Sequence, residues 1–178
     1  QLNQLSTLRS IDQVLTSIVD LRIILNFILE QIMERLKVDA VAIHLYNPAT
    51  HKLEFTEGRG FRTQEIERTN LNIGEHNLGR VARDRKTLIL PKIGPDDFPC
   101  SPLVSKEKFI SYFATSIYAK GQIKGVIEVF NRTYFDPNDK WINYFEILAG
   151  QTAIAIDNSQ LFEGLQRSNL ELSLAYDA

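Results

Sequence analysis

Two stretches at the start of the chain have hydrophobic residues at helical spacing. The first alternates spacings of three and four, the heptad pattern by which helices pack side by side, at Leu8, Ile11, Leu15 and Ile18. Asp20 can then cap a second helix that runs from Leu21 to about Lys37. This helix has one wide apolar face, formed by Ile24, Leu25, Ile28, Leu29, Ile32 and Leu36. The pattern predicts an N-terminal helix that pairs with another helix, followed by a helix that covers a core.

From Asp39 the hydrophobic period changes to two, which predicts strands. The two faces of the first strand are Val41, Ile43 and Leu45 on one side, and Ala42, His44 and Tyr46 on the other. A second strand around residues 53–57 is predicted to pair back on the first. The elements that follow are a short helix at 74–84 and strands at 87–90, 110–119 and 123–131, with a tight turn at 120–121.

An irregular segment lies between the strands predicted at 87–90 and 110–119, and a long helix follows the last strand. Four of the six prolines lie between Pro91 and Pro102, which excludes regular helix or sheet interior there. From Asp136 the pattern predicts a helix to about Ala175, longer than the roughly 8–20 residues usual in a domain. This helix should project beyond the core. It carries an apolar stripe at Ile147, Ile154, Leu161, Leu165 and Leu172.

This element order favours an α+β fold with a central antiparallel sheet of about six strands and helices packed on one face. The other face would lie under the irregular segment. The 178 residues suit one domain with helical extensions. A net charge of −2 without runs of like charge predicts no nucleic-acid partner. The interrupted apolar stretches predict no membrane insertion, and the single cysteine, Cys100, fits a cytoplasmic, reducing compartment.

Three further stretches carry a family resemblance. The first is residues 74–90, with Leu-Gly-Arg-Val-Ala at its centre; the second runs from Phe109 to Asn131 and contains Gly-Val-Ile-Glu-Val-Phe-Asn. The third runs from Leu148 to Phe162 and begins Leu-Ala-Gly-Gln-Thr-Ala. In this order and at these spacings they resemble the GAF family of sensory domains. The resemblance implies a loop-capped pocket on the open face of the sheet; some members bind cyclic nucleotides, bilins, haem or small metabolites.

The resemblance divides the chain into three parts. Residues 1–20 are expected to form a helix for dimerisation or linkage, residues 21–160 the GAF domain, and residues 161–178 an extension of the long signalling helix. The last part resembles the linker before output domains of bacterial signalling proteins. Its end, Leu-Ala-Tyr-Asp-Ala, resembles the lead-in to an HD-GYP phosphodiesterase domain.

Glu128 is the central residue of the expected pocket. It alternates with Ile127 and Val129, which suit the helix-covered face, so its side chain should point to the pocket side. Counting across the turn at 120–121 predicts Phe113 or Thr115 opposite Glu128. An acidic residue here resembles a ligand contact of cyclic-nucleotide-binding GAF domains, although an open sheet face also needs polar residues. The ligand-binding set expected is His44, Phe98, Phe109, Ser111, Phe113, Thr115 and Glu128.

Two other features have weaker links to chemistry. The run from Asn131 to Asp139 resembles a motif of phosphodiesterase GAF domains, with Arg132 where that motif has lysine. Phe135 can instead fill the core, while Asp136 or Asn138 caps the long helix. Cys100 lacks the following histidine of bilin-linking domains, and we expect it to be a small buried hydrophobe; a redox-sensing thiol is the alternative.

The functional expectation is therefore regulatory and not catalytic. No nucleophile motif accompanies a histidine and an aspartate, and the GAF-fold reductase of free methionine sulfoxide depends on several cysteines. The three histidines lack metal-ligand spacing, so we expect neither metal, haem nor bilin, and the ligand stays unidentified. One hypothesis is a small-molecule sensor. The alternative is a ligand-free module that forms a homodimer through the N- and C-terminal helices.

Overall fold

The computed structural model describes residues 21–99 and 101–177, so the predicted heptad at Leu8 to Ile18 and the predictions for Cys100 lie outside the described residues. Helix α1 covers residues 21–36. The elements that follow are β1 (Ala40–Asn47), β2 (Lys52–Arg59), a 3-10 helix (Glu65–Arg68), β3 (Asn70–Asn72), α2 (His76–Asp84), β4 (Leu88–Leu90), α3 (Pro102–Glu107), β5 (Ser111–Ala119), β6 (Gln122–Asn131) and α4 (Asp139–Asp177).

The six strands form one antiparallel sheet in the order β3-β2-β1-β6-β5-β4. This confirms the predicted α+β fold and its central antiparallel sheet. Residues 91–99 hold no helix or strand, as predicted, but α3 begins at Pro102, the last residue of the range predicted to be irregular. Pro102 lies in the first turn of α3, where its missing N–H costs nothing.

Each face of the sheet has its own hydrophobic core. Helices α1 and α4 cover one face, where Leu29 and Phe145 pack against strand residues such as Ile43 and Ile127. On the other face, α2 and the segment around α3 pack against alternate residues of the same strands, such as Ala114 and Phe130. Burial on both faces explains why the central strands are rich in apolar residues at successive positions.

The start of α4 is fixed by a side-chain cap and an aromatic cluster. The backbone N–H of Trp141 donates to Asn138 Oδ1 at 2.9 Å, so Asn138 has the capping role that the sequence allowed to it or to Asp136. Phe135 packs against Phe113 and Trp141, as expected of a core residue. The last α4 residue in the hydrophobic core is Ile156, and the helix continues to Asp177.

A buried carboxylate ties three segments together at one end of the sheet. Glu107 accepts hydrogen bonds from the backbone N–H groups of Arg62 and Thr63 and forms an ion pair with Arg132 at 2.6 Å. Burial by itself would raise the pKa of Glu107. The backbone donors, the Thr63 hydroxyl and Arg132 together outweigh it, and the pKa lies below its ordinary value of 4.5.

The lowered pKa makes a prediction for acid stability. The folded-state pKa of Glu107 lies below its unfolded-state pKa. Ionised Glu107 therefore stabilises the fold at pH values above the ordinary pKa, and this stabilisation is lost as pH falls through the folded-state pKa. Glu107→Gln should lower the free energy of unfolding by about 1–3 kcal/mol at pH 7 and flatten its decline below about pH 5. Urea unfolding measured from pH 7 to pH 3 tests this. Glu146→Gln, at an exposed position, is the control, and equal pH profiles for both variants would contradict the prediction.

Candidate functional site

Strand pairing brings three polar side chains together in the middle of the sheet. Glu128 of β6 lies opposite Ala42 of β1 and Ala114 of β5. These two neighbours are small, so the carboxylate has room between His44 and Tyr112, which lie two residues further along on the same face. All three side chains belong to the face that α2 and α3 cover.

The three side chains form a buried hydrogen-bonded group, which we call the Glu128 triad: Glu128, His44 and Tyr112. His44 Nε2 lies 2.6 Å from Glu128 Oε1, and the Tyr112 hydroxyl donates to Oε2. His44 and Tyr112 are fully buried, and Glu128 is 4% exposed. Burial, the negative charge of Glu128 and the hydrogen bond raise the pKa of Tyr112 well above 10.0. The hydroxyl therefore stays protonated and remains a donor at neutral pH.

The triad has hydrogen-bonding capacity left over. His44 Nε2 is the donor to Glu128 when the carboxylate is ionised, because an ionised carboxylate only accepts hydrogen bonds. Its other ring nitrogen, Nδ1, is buried without a hydrogen-bond partner among the described residues. Within the same residues, no lysine or arginine forms an ion pair with Glu128. Glu128 also retains acceptor capacity, since a carboxylate offers about four lone-pair sites.

A cavity of about 380 Å³ reaches Glu128 from the surface. Its walls come from the 3-10 helix and β3, the start of α2, and the loop that precedes α3. Apolar wall residues are Leu71, Leu78, Phe98 and Leu103, and polar ones include Asn70 and Asn77. Two further lining residues, Arg68 and His76, are exposed. The cavity thus has an acidic floor and a mixed wall, and its lining also includes the carboxylates of Glu65 and Asp97.

The structure divides the predicted site residues into two groups. Glu128 and Phe98 line the cavity, and His44 contacts Glu128 on its floor. Phe98 also packs edge-on against Tyr112, with ring centroids 4.8 Å apart. Phe109 lies on the same side of the sheet, but it stacks on Phe130 at 4.5 Å and is not part of the cavity wall.

Ser111, Phe113 and Thr115 lie away from the cavity. Phe113 belongs to the core under α1 and α4, Thr115 Oγ1 is hydrogen-bonded to Thr87 Oγ1 at 2.9 Å, and strand alternation gives Ser111 the same direction. The prediction that Phe113 or Thr115 lies opposite Glu128 is wrong. A register shift between Ile117 and Tyr118 moves every pairing beyond it by one residue, so Ala114 takes that place.

Sequence analysis missed Tyr112 and the polar wall formed by Asn70 and Asn77. Tyr112 and Ala114 are two residues apart and therefore lie on the same face of β5. A register shifted by one residue would have placed Ala114 opposite Glu128 and Tyr112 on the pocket side. The wall residues lie in short elements, the 3-10 helix with β3 and the first turn of α2, whose hydrophobic pattern spans too few residues to be read.

Comparison with known proteins identifies the class to which this fold and site belong. A family model described as GAF domain matches residues 19–157, so the chain belongs to the GAF domain family. GAF domains are regulatory modules, typically sensory ones in signalling proteins. A search of the curated proteins gave no match.

Solved structures agree with this assignment. The GAF domain of an Acinetobacter phosphoenolpyruvate-protein phosphotransferase has a TM-score of 0.70 and 17% identity, covering 90% of this chain and 96% of that one. A GAF domain/HD domain protein from Geobacter sulfurreducens has a TM-score of 0.69 and 15% identity, covering 80% and 95%. Residues 122 to 287 of a methyl-accepting chemotaxis protein have a TM-score of 0.67 and 21% identity, covering 88% and 97%. At these identities the similarity is one of fold.

Metal-holding clusters and membrane-spanning helices are both absent from the described residues. No cluster of three or more His, Cys, Asp or Glu side chains in this part of the chain is arranged to hold a metal ion. None of its helices combines the length and apolar character needed to cross a membrane.

Proposed function

We propose that this GAF domain is a sensor that binds a small molecule in the cavity above Glu128 and relays binding to α4. The observation that carries the proposal is the buried Glu128 triad at the floor of a cavity that opens to solvent. A carboxylate is costly to bury, and a group that only served an open sheet face would not need this burial. The cavity volume lies in the usual range for small-molecule sites.

The triad also defines the chemistry of the ligand's inner end. Glu128 has acceptor sites left beside its contacts with His44 and Tyr112, and no lysine or arginine among the described residues forms an ion pair with it. A ligand with N–H donors or a positive charge would complete this environment. Phe98 and the leucines of the wall suit an apolar or planar body. Cyclic nucleotides, which some members of the family bind, are one class of ligand with such a planar body.

A route from the cavity to α4 passes through β5. Phe98 of the cavity wall packs against Tyr112, and the next residue of β5, Phe113, points to the opposite face. There it packs against Trp141 of α4, with ring centroids 5.1 Å apart. A ligand that fixes Phe98 would therefore bias the position of β5 and, through Phe113, that of α4. Such a relay requires that the ligand prefer one of the two positions.

Native mass spectrometry of freshly purified protein, repeated under denaturing conditions, tests ligand binding. We expect extra mass in the native spectrum only, which would identify the ligand. Glu128→Gln should weaken its binding at least about tenfold, because an amide N–H replaces a charged acceptor. Glu54→Gln, on β2 and not in the cavity wall, is the control. Unchanged affinity in Glu128→Gln would refute this site.

Self-association is a second candidate function, and α4 carries the observation that favours it. Apolar and small polar side chains follow each other at alternating spacings of four and three along one exposed face of α4, which we call the α4 seam. Its members are Ile147, Gln151, Ile154, Asn158, Leu161, Leu165, Ser168, Leu172 and Ala175. Ile154 is 62% exposed and Leu165 is 65% exposed, which is unusual for such residues in a helix that lies on a core.

The second candidate is tested by the mass of the protein in solution. Ile154→Glu should convert a homodimer into a monomer without loss of the fold, because Ile154 belongs to neither hydrophobic core of the described residues. Light scattering and circular dichroism would measure the two properties. A wild-type monomer at all concentrations would exclude self-association.

The wider role follows from the family. We infer a cytoplasmic signalling protein in which residues 21–160 are the sensor, 1–20 a linking or dimerising helix, and 161–178 the lead to an output domain. The HD domain of the Geobacter neighbour supports the kind of output domain expected from the last residues. In this proposal the domain itself regulates and has no catalytic role.

A further inference from the structure

A second cleft, which we call the Lys124 cleft, lies at the end of the sheet where β1 and β6 separate. These two strands pair only as far as Leu45 and Gly125. Lys124 is the extra residue of the bulge between β5 and β6, since its neighbours Ile123 and Gly125 each pair with β5 and Lys124 does not. Bulges of this kind re-aim a side chain, and Lys124 lines the cleft. The cleft has a volume of about 450 Å³ and shares no lining residue with the cavity above Glu128.

Arg85 supplies the cleft with a guanidinium whose orientation is fixed by its neighbours. The guanidinium carbon lies 4.1 Å from the centroid of the Tyr118 ring, and Nη2 donates to Gly121 O at 2.7 Å. Tyr118 is itself tied to α2, because its hydroxyl donates to Ala82 O. A guanidinium carries five N–H donors, and the described residues accept one hydrogen bond from that of Arg85. The group is therefore held in place with donors left for a bidentate contact to an oxyanion.

Positive charge exceeds negative charge around the Lys124 cleft. Lys120 and Lys124 share one carboxylate, Asp157 of α4, at N–O distances of 3.3 Å and 3.4 Å. Within the part of the chain that the structure describes, no carboxylate forms an ion pair with Arg85 and none lines the cleft. Three cations and one carboxylate leave an excess of two positive charges. A phosphate monoester carries a charge of about −1.5 to −2 at pH 7, which matches this excess.

We propose that the Lys124 cleft binds the phosphate group of a small metabolite between Arg85 and Lys124. This site is separate from the cavity above Glu128, and the proposal does not depend on the sensor function proposed for that cavity. The cleft volume lies in the usual range for small-molecule sites and exceeds what a phosphate group alone would fill. Tyr46, Pro48 and Ile123 line the remainder and suit the organic part of the ligand.

The Lys124 cleft borders α4 directly. Lys124 Nζ donates to Gln160 Oε1 at 2.9 Å, and Gln160 also lines the cleft. A phosphate bound to Lys124 would compete with Asp157 and Gln160 for the ammonium group, while Lys120 would still neutralise Asp157. Binding would therefore alter the contacts between the β5–β6 hairpin and α4.

An NMR titration of the whole chain with phenyl phosphate tests the proposal, because amide shifts both measure weak binding and locate it. We expect saturable shifts at residues 120–124. Arg85→Gln should weaken binding at least about tenfold, since it removes the charge and the bidentate donors. Arg83→Gln is the matched control, because Arg83 lies two residues away, pairs with Asp84 and does not line the cleft. Circular dichroism checks that both variants fold.

Gln160→Glu tests the site without touching either cation. It places a carboxylate beside Lys124 at an exposed position of α4, so it should abolish phosphate binding and keep the fold. Gln64→Glu makes the same change at an exposed position outside the cleft and should bind as the wild type does. Benzoate has the same ring with a single negative charge, and it should bind at least about threefold more weakly than phenyl phosphate.

Four outcomes would overturn the proposal. The wild type could show no saturable shifts up to about 10 mM phenyl phosphate, the weak end of specific binding. Arg83→Gln could weaken binding as much as Arg85→Gln, which would mean that only net charge matters. Benzoate could bind as tightly as phenyl phosphate, which would exclude recognition of phosphate. Glu128→Gln could abolish the shifts, which would place the ligand in the other cavity; unchanged shifts in this variant support a separate site, whatever ligand the Glu128 cavity binds.

Discussion

Gly60→Ala is expected to lower the free energy of unfolding by about 2–5 kcal/mol, the sum of a backbone cost and a packing cost. Gly60 follows β2 and has a φ of +85°, a conformation that costs an L residue about 1–2 kcal/mol. An added Cβ would also overlap the carbonyl oxygen of Asp39. Overpacking of this kind adds about 1–3 kcal/mol when the neighbour cannot move.

Asp39 is held from several sides, which is why the overlap cannot be relieved cheaply. Its backbone N–H donates to Phe130 O at 3.1 Å and to Asn131 Oδ1 at 2.9 Å, and its carboxylate accepts from the Arg132 N–H at 2.7 Å. A shift of Asp39 would break the start of the β1–β6 pairing. The expected result is a lower midpoint in urea or loss of soluble protein.

Gly121→Ala separates the backbone conformation from the overlap. Gly121 has a φ of +75°, and a Cβ there would meet no atom within 4 Å. Only the conformational cost of about 1–2 kcal/mol should remain. If both variants lost the same stability, the overlap with Asp39 would not be the cause.

Glu128→Ala is the second substitution with a large expected effect, a loss of about 2–4 kcal/mol in the free energy of unfolding. The variant removes the acceptor of both His44 and Tyr112, which are fully buried. Each buried donor left without an acceptor costs about 1–3 kcal/mol, and water that enters from the cavity offsets part of this cost. Urea unfolding at pH 7 measures the loss.

Two variants control this result. Tyr112→Phe removes one donor and keeps the aromatic contact with Phe98, so it should cost less than Glu128→Ala. Glu57→Ala breaks a surface ion pair with Arg22 and should change stability by less than about 1 kcal/mol. A Glu128→Ala protein as stable as Glu57→Ala would mean that the triad contributes no net stability.

Hydrophobic period and turn residues predicted most of the fold. The strong three-to-four period of α1 and α4 and the alternation in β1 each extend over eight residues or more, which is why they could be read directly. The 3-10 helix, β3 and α3 are too short for such a pattern, and α3 begins at Pro102, in a segment whose prolines predict irregular structure.

The candidate site was predicted only in part, for a reason of geometry. Glu128 and His44 follow from strand alternation, which needs no knowledge of pairing. The neighbours of Glu128 on β5 depend on the pairing register of β5 and β6. Counting residues from the turn assigns β5 side chains to the wrong face beyond the register shift between Ile117 and Tyr118. A one-residue bulge leaves no clear mark in composition, so the prediction named Ser111, Phe113 and Thr115 on β5, whereas Tyr112 and Ala114 face the pocket side.

The length of α4 gives the domain a mechanical property. From Ile156, its last residue in the hydrophobic core, to Asp177 the helix rises about 32 Å. A tilt of about 5° at the sheet would therefore carry the far end through about 3 Å, on the order of one side chain's reach. In the proposed relay this helix would serve as a lever arm, and Trp141 near its first residues contacts Phe113. Displacements at the cavity wall too small to alter the sheet would be enlarged where the chain leaves the domain.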